Sequence, residues 1–498
     1  MGVVIRQSFK SLIVQYLGIV VGYFNIVWLF PKCLPLEEIG LLRFVTEMGI
    51  FLAFFAQIGV PNAVNRFYPY FRNKEKNDNG FQFWITVTPL IGIFLFSGIF
   101  ILIKPLFVDY YQNNSPLVID YFWYFIPFTF IYVYLNITEQ YCTSQMRIVV
   151  PKLIRDVYLR AITSALLILS YYKYLSFDQL MLALCIAYFS GLVINILYIY
   201  KFFGINLSYD GTLLRDKKFR KEILWFLGFI IIVGIGSTVV NKIDNIMISG
   251  LINLSSFTIY STALFIATVI EMPYRSISQI STPIVAEAMK TNNLEKVNEI
   301  YKKSSINQSL IGIFIFLAIW INADNIFNMM PNGDAFREGK YVILFIGLSK
   351  VFDLLTGVNS AIMGNSKFYY YGIYFMFLLA GIAIFLNNLF IPIYGIVGVG
   401  IATAISIFIY ASSITFFVKV KTGLHPFSLK TLQLLLVSIA AFMLNLVIPV
   451  FENIFVDIIV RSTIVLGVYS VINLVAKTSE EMNNTLLVFI KKIVPIKN

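Results

Sequence analysis

The 498-residue chain is 58% hydrophobic and only 13% charged, against about 45–50% and about 25% in an average soluble protein. So small a polar share excludes a water-soluble globule of this length and marks an all-α integral membrane protein. The net charge of +12 calls for no nucleic acid, since orientation in the bilayer and attraction to anionic lipid head groups account for it.

A helical span needs about 20 mostly apolar residues. Runs of that kind predict about fourteen transmembrane helices: 8–30, 40–60, 81–103, 117–142, 152–171, 177–200, 223–249, 255–283, 305–322, 340–363, 368–391, 396–418, 429–449 and 456–476. The first follows MGVVIRQSFK and has no small-residue cleavage site after it, so it reads as a retained helix. Arg6 stands where a myristoylation motif needs Ser or Thr.

The connections alternate in charge. RNKEKND (72–78), RDKKFRKE (215–222), KTNNLEK (290–296) and KVKTGLHPFSLK (419–430), with both tails and the remaining segments on that side, carry 26 Lys and Arg. The opposite side carries five: Lys32, Lys104, Lys173, Arg337 and Lys340. That asymmetry predicts both termini in the cytoplasm. No connection is long enough to hold a soluble catalytic module.

Landmarks recur at a spacing of about 220 residues, which suggests a tandem repeat. Pro61 and Pro283 are expected to close the second and eighth spans, and Arg147 and Lys367 follow the fourth and tenth. The basic segment 201–222 divides the halves. The predicted organisation is an N-lobe over 1–211 with spans 1–6, and a C-lobe over 212–421 with spans 7–12. Residues 422–498 add spans 13–14 and a tail. An even number of spans per lobe makes the repeats parallel.

LNNLFIPIYGIVGVGIATAIS (386–406) is apolar yet crowded with small residues. Glycine weakens a soluble helix, but in lipid small residues let backbones approach, and close packing carries association. PIYG (392–395) reads as a tight turn between spans 11 and 12. Beyond it, Gly398, Ala402 and Ser406 share one helix face. With no GK[ST] and no charge, the stretch is not a phosphate loop.

A cation inside a span costs about 2.5–3.5 kcal/mol at the bilayer centre by insertion scales, so such residues normally face an interior. Arg43 and Glu47 lie four apart on span 2, as do Glu271 and Arg275 on span 8. Lys242 and Asp244 sit on span 7, and Lys350 and Asp353 are three apart on span 10. Arg160 and Arg461 have no evident partner in their own spans, and Arg66 is placed to snorkel. Arg43, Lys242 and Arg275 are the candidate pyrophosphate and sugar contacts. Glu47, Glu139, Asp244, Glu271, Lys350 and Asp353 are candidates for ion coupling or charge pairing. Cys33, Cys142 and Cys185 show no CxxC spacing and read as small hydrophobes. His425 beside Pro426 forms no cluster. No Walker motif, metal-ligand set or catalytic constellation is present.

The 386–406 stretch resembles the N…LIPxYGIxGAaiATxIS segment of Wzx-type bacterial polysaccharide flippases. NKIDNIMISGLINLSSFTIYSTA (241–263) is similar to their seventh span and the turn after it, with Asp244 in the usual place. SAIMGNSKFYYYG (360–372) is similar to their tenth-to-eleventh junction. The wider superfamily includes MATE-type multidrug exporters and the lipid II flippase. The resemblance implies a MATE-like pair of six-helix lobes plus two C-terminal helices, around a cavity lined by spans 1, 2, 7 and 8. It further implies a non-enzymatic transporter of the bacterial inner membrane, moving undecaprenyl-pyrophosphate-linked oligosaccharide by alternating access. A polysaccharide polymerase and a chain-length regulator would be its partners, with the chain itself acting as a monomer. No cofactor is expected; H+, Na+ or the membrane potential would supply direction.

Two other classes compete. A MATE-type exporter of cationic drugs would favour an acidic cavity, against the several intramembrane cations here. A membrane-embedded polymerase or glycosyltransferase would need a large outer loop or a clustered acidic metal site.

Overall fold

The computed structural model describes residues 2–73, 78–210 and 212–483, with backbone alone at residues 2–6, 8, 9 and 12. Lys74 and Lys76 of the first basic loop, and the tail from residue 484, lie outside the described residues. Each of the fourteen apolar stretches lies largely on helix. Among the described residues, nine helices are long and apolar enough to cross a membrane.

Contacts divide the chain into two units, Met1–Thr258 and Ile259–Asn498. Unit 1 contains α1 (Gly2–Phe24), α2 (Leu36–Ala56), α3 (Val60–Phe71), α4 (Phe81–Leu102), α5 (Phe125–Ser144), α6 (Leu159–Tyr171), α7 (Phe177–Phe203) and α8 (Lys217–Leu251). The unit boundary falls inside α9 (Leu254–Thr268). Unit 2 continues with α10 (Met272–Lys290), α11 (Leu294–Ile321), α12 (Gly339–Leu355), α13 (Tyr371–Thr422), α14 (Leu429–Leu444) and α15 (Ile454–Val475). By contact, α8 packs on α2 and α3 in unit 1, although the repeat reading counts it as the first span of the second lobe.

The second span ends earlier than predicted. Ile58 and Gly59 adopt positive φ, and Pro61 opens α3 rather than closing α2. Proline suits that place, where its missing N–H is no loss. Pro283 lies inside α10 instead of ending it. Between α9 and α10, Val269–Glu271 forms a 3-10 turn, and Pro273 stands in the first turn of α10.

At 386–406, one non-helical residue, Gly395, joins the two arms of α13, with φ 55° and ψ −134°. Few residues besides glycine tolerate that region. The predicted turn is therefore a one-residue break. A Cβ on Gly398 would collide with the carbonyl oxygen of Phe390, and one on Gly400 would stand 3.4 Å from the Cα of Val342 on α12. The small residues thus permit a tight bend and close contact with α12. Gly398→Leu is expected to destabilise unit 2 by about 1–3 kcal/mol, the usual cost of overpacking, read as a lower midpoint of thermal unfolding in detergent.

The unit 1 core packs aromatics edge-on. Phe44 meets Phe257 at 5.8 Å and Phe125 at 6.1 Å between ring centroids, and all three are fully buried. Buried hydroxyls return to their own helices: Thr129 donates to the Phe125 carbonyl at 2.7 Å and Ser406 to that of Ala402 at 2.7 Å. Such bonds satisfy the hydroxyl where no water can. Leu102, Val447 and Val475 are each 79% exposed, as expected of side chains facing lipid.

Candidate functional site: a charged cluster in each unit

In unit 1, two fastenings set the register of the charged helices. Thr258 Oγ1 donates to the Leu36 carbonyl at 2.7 Å, and a Cβ on Gly40 would strike the Leu254 carbonyl. Together these draw the start of α2 against the start of α9. At the far end of α8, Asn114 Nδ2 donates to the Gly250 carbonyl at 2.8 Å and Ser115 Oγ to that of Ser249 at 2.6 Å. Arg43 and Glu47, one and two turns beyond Gly40, then face Lys242. The Lys242 ammonium donates to Glu47 Oε2, and Arg43 lies within electrostatic reach of Lys242. The side chains of Lys242 and Glu47 are 22% and 33% exposed. Arg43 and Asp244 are half-buried, and both are engaged by neighbours. The bridge from Glu47 to Lys242 on α8 is one that the spacing along α2 does not indicate. The unit 1 cluster thus joins Arg43, Glu47 and Lys242, with Asp244 two residues further along α8.

In unit 2, Glu271 is the last residue of the 3-10 turn and the residue that precedes α10, a position where a carboxylate meets the positive end of the helix dipole. Arg275, four residues on, donates through Nη2 at 2.5 Å and Nε at 3.2 Å to Glu271 Oε1. Lys350 on α12 donates to the other oxygen, Oε2, at 2.6 Å. Glu271 and Lys350 are 22% and 21% exposed, and Arg275 is 60% exposed.

The predicted pairing of Lys350 with Asp353 is not formed, because the bridge to Glu271 takes the ammonium. The half-buried Asp353 makes no salt bridge among the described residues; it lies within electrostatic reach of Lys350, Tyr274 and Tyr410. Here two cations, Arg275 and Lys350, share one directly bonded carboxylate.

The remaining charges lie outside the two clusters. Glu139, 6% exposed, accepts from Arg155 Nη1 at 2.7 Å. Arg155 lies in the π-helical turn Ile154–Tyr158, and no pattern along its own span points to Glu139. Arg160 donates to the Gly18 carbonyl, and a Cβ on Gly22 would strike its guanidinium. Arg461 does have a partner in its own helix: its guanidinium reaches both oxygens of Asp457, at 3.0 and 3.1 Å. The four-residue rule that finds Glu271–Arg275 also finds this pair. Arg66 does more than snorkel: it pairs with Glu222 at 2.9 Å, with both side chains half-exposed, and its guanidinium lies 4.7 Å from the Phe226 ring centroid. All three cysteines are free.

No protein-family model and no curated protein matches the sequence. Solved structures do. The lipid II flippase MurJ, in an inward closed conformation, aligns with a TM-score of 0.70 at 17% identity, over 94% of this chain and 98% of its own. A multidrug resistance MATE family transporter of the MOP superfamily, facing inward, aligns with a TM-score of 0.58 at 17% identity, over 84% and 98%. A transporter of that family facing outward gives 0.51 at 16%, over 84% and 95%. The chain has the helical fold that these flippase and multidrug-transporter structures share, with a cluster of cations and carboxylates built into each of its two units.

Proposed function

We propose that the chain is a flippase that carries undecaprenyl-pyrophosphate-linked oligosaccharide across the cytoplasmic membrane by alternating access, for O-antigen, capsule or exopolysaccharide assembly. The observation that carries this reading is the unit 2 cluster, where two cations, Arg275 and Lys350, are bonded to the single carboxylate of Glu271. An intramembrane cation needs a counter-charge. Glu47 and Glu271 supply one while the path is empty. A pyrophosphate brings more negative charge than one carboxylate and accepts from several donors at once. It can therefore take Lys242, Arg275 and Lys350 away from their glutamates and draw in Arg43 beside Lys242. Arg275 is placed for first contact by its exposure. The TM-score of 0.70 to a lipid II flippase supports the same reading.

Glu47, Glu139, Asp244, Glu271 and Asp353 are the carboxylates available for H+ or Na+ coupling; the membrane potential or downstream polymerisation is the other source of direction. The chain acts as a monomer in the inner membrane with both termini cytoplasmic, and hands its cargo to a polysaccharide polymerase and chain-length regulator. A MATE-type exporter of cationic drugs is disfavoured because a cationic cargo would have to displace both Arg275 and Lys350 from Glu271.

Replacing Arg275 with Ala is expected to cut surface-glycan export at least about tenfold, the loss that follows from one charge-assisted contact of about 1.5–3 kcal/mol. Export should be measured in host cells at equal protein level. Normal export by that variant contradicts the assignment of Arg275 to the cargo path.

A further inference from the structure

Three helices of unit 1 enclose an apolar groove outside both charged clusters. Its floor is α5, and its walls are α4 and α7. One section, of 820 Å³, is lined by residues including Ser97, Gly98, Ile101 and Cys185. A second, of 440 Å³, is lined by residues including Gln82, Thr86, Tyr141 and Ile199. The two sections share Leu90, Phe130 and Phe189, so they adjoin as one groove running along α4. On α4 the lining recurs every three to four residues from Gln82 to Ile101, which is one helix face.

The length of that face selects the occupant. From Gln82 to Ile101 an α-helix rises about 29 Å, nearly the whole hydrocarbon core of about 30 Å. A phospholipid acyl chain serves one leaflet, about half that thickness. A single chain filling the groove must cross both leaflets, as a long polyisoprenoid does.

Charge places the head group. At the Gln82 end, Tyr141 packs on Phe203 at 5.9 Å between ring centroids. The Arg147 guanidinium stands 4.2 Å from the Phe202 ring centroid and 5.9 Å from that of Phe203, and Lys201 stands 5.8 Å from Phe202. At the Ile101 end the nearby cation is Lys104, over Phe122 and Trp123. Asp78 lies within electrostatic reach of Tyr141 at the Gln82 end, but Arg147 and Lys201 both stand against the Phe202 ring there and can share one anion.

We propose that this groove binds the chain of a phosphate-headed polyisoprenoid lipid, with its phosphate at Arg147 and Lys201 and its tail passing Gly98 towards Ile101. The proposal concerns binding and stands apart from the transport reading. Loss of binding here leaves that reading intact.

The test uses the full-length protein purified in detergent, with native mass spectrometry of three probes: undecaprenyl phosphate, farnesyl phosphate and dioleoyl phosphatidylglycerol. Gly98→Trp fills the middle of the groove, and nothing lies within 4 Å of a Cβ at that position. It is expected to weaken undecaprenyl phosphate at least about tenfold, the lower end of what a lost apolar pocket contact costs. The short farnesyl chain ends before Gly98 and keeps its affinity. Arg147→Gln weakens both prenyl phosphates.

As a second reading on the unmodified protein, undecaprenyl phosphate should slow N-ethylmaleimide labelling of Cys185, while phosphatidylglycerol does not. Three results each overturn the proposal: undecaprenyl phosphate binding unaffected by Gly98→Trp, equal protection of Cys185 by phosphatidylglycerol, or no protection by either lipid.

Discussion

Replacing Asp457 with Ala is expected to destabilise unit 2 by about 3–5 kcal/mol, the range for removing one partner of a buried ion pair. The side chains of Arg461 and Asp457 are only 7% and 3% exposed. Asp457 accepts from Arg461 through both oxygens, from Asn325 Nδ2 at 2.5 Å and from the Phe451 amide at 3.1 Å. Arg461 also donates to Asn445 Oδ1 at 2.7 Å and to the Pro449 carbonyl at 3.2 Å. The pair therefore fastens the connection between α14 and α15 and ties it to the Ala323–Met329 helix. Alanine leaves a guanidinium with no carboxylate and frees Asn325 and Phe451 at once. The double variant Asp457→Leu/Arg461→Met should recover much of the loss, because it removes both charges together. Thermal unfolding in detergent measures both effects. A loss below about 1 kcal/mol for Asp457→Ala, the size of an exposed pair, contradicts the role given to this network.

Glu271→Gln is the second large effect. Glu271 is the one carboxylate bonded to both Arg275 and Lys350. Neutralising it takes away the carboxylate bonded to Lys350 and leaves only the unbonded Asp353 within electrostatic reach, a cost of up to about 2.5–3.5 kcal/mol by insertion scales. The variant should accumulate poorly and export at least about tenfold less glycan per molecule. Adding Lys350→Met removes the orphaned charge. The double variant should regain normal protein level yet still fail in export, since a cargo contact is gone. Recovery of both level and export would make the Glu271–Lys350 bridge purely structural. Normal export with Glu271→Gln alone would remove the cluster from the account altogether.

The helices were legible because lipid enforces their signal: a bilayer admits long apolar helices and tolerates little else. The stretch 81–103 corresponds to Phe81–Leu102, and 177–200 to Phe177–Phe203. The interruptions were less legible. Ile58 and Gly59, both at positive φ, separate α2 from α3, whereas Pro283 leaves α10 continuous. Proline alone does not say which will happen, because neighbouring helices can satisfy the freed carbonyl. Charged residues could be found but not paired across helices. Lys242 meets Glu47 and Lys350 meets Glu271, while the one-dimensional pattern offered Asp244 and Asp353. Spacing along a chain reports which residues share a helix face, and says nothing about the helix opposite. Arg461 is different. Its partner lies four residues earlier, at the start of the predicted span, where Asp457 passes for a flanking charge.

The most direct test of the central claim is depletion of this protein in its host, followed by mass analysis of the extracted polyprenyl lipids. The account predicts that one complete oligosaccharide on undecaprenyl pyrophosphate accumulates, protected from a membrane-impermeant glycosidase, while surface glycan falls. An unchanged lipid pool accompanied by new sensitivity to cationic dyes would contradict it and point to drug export instead.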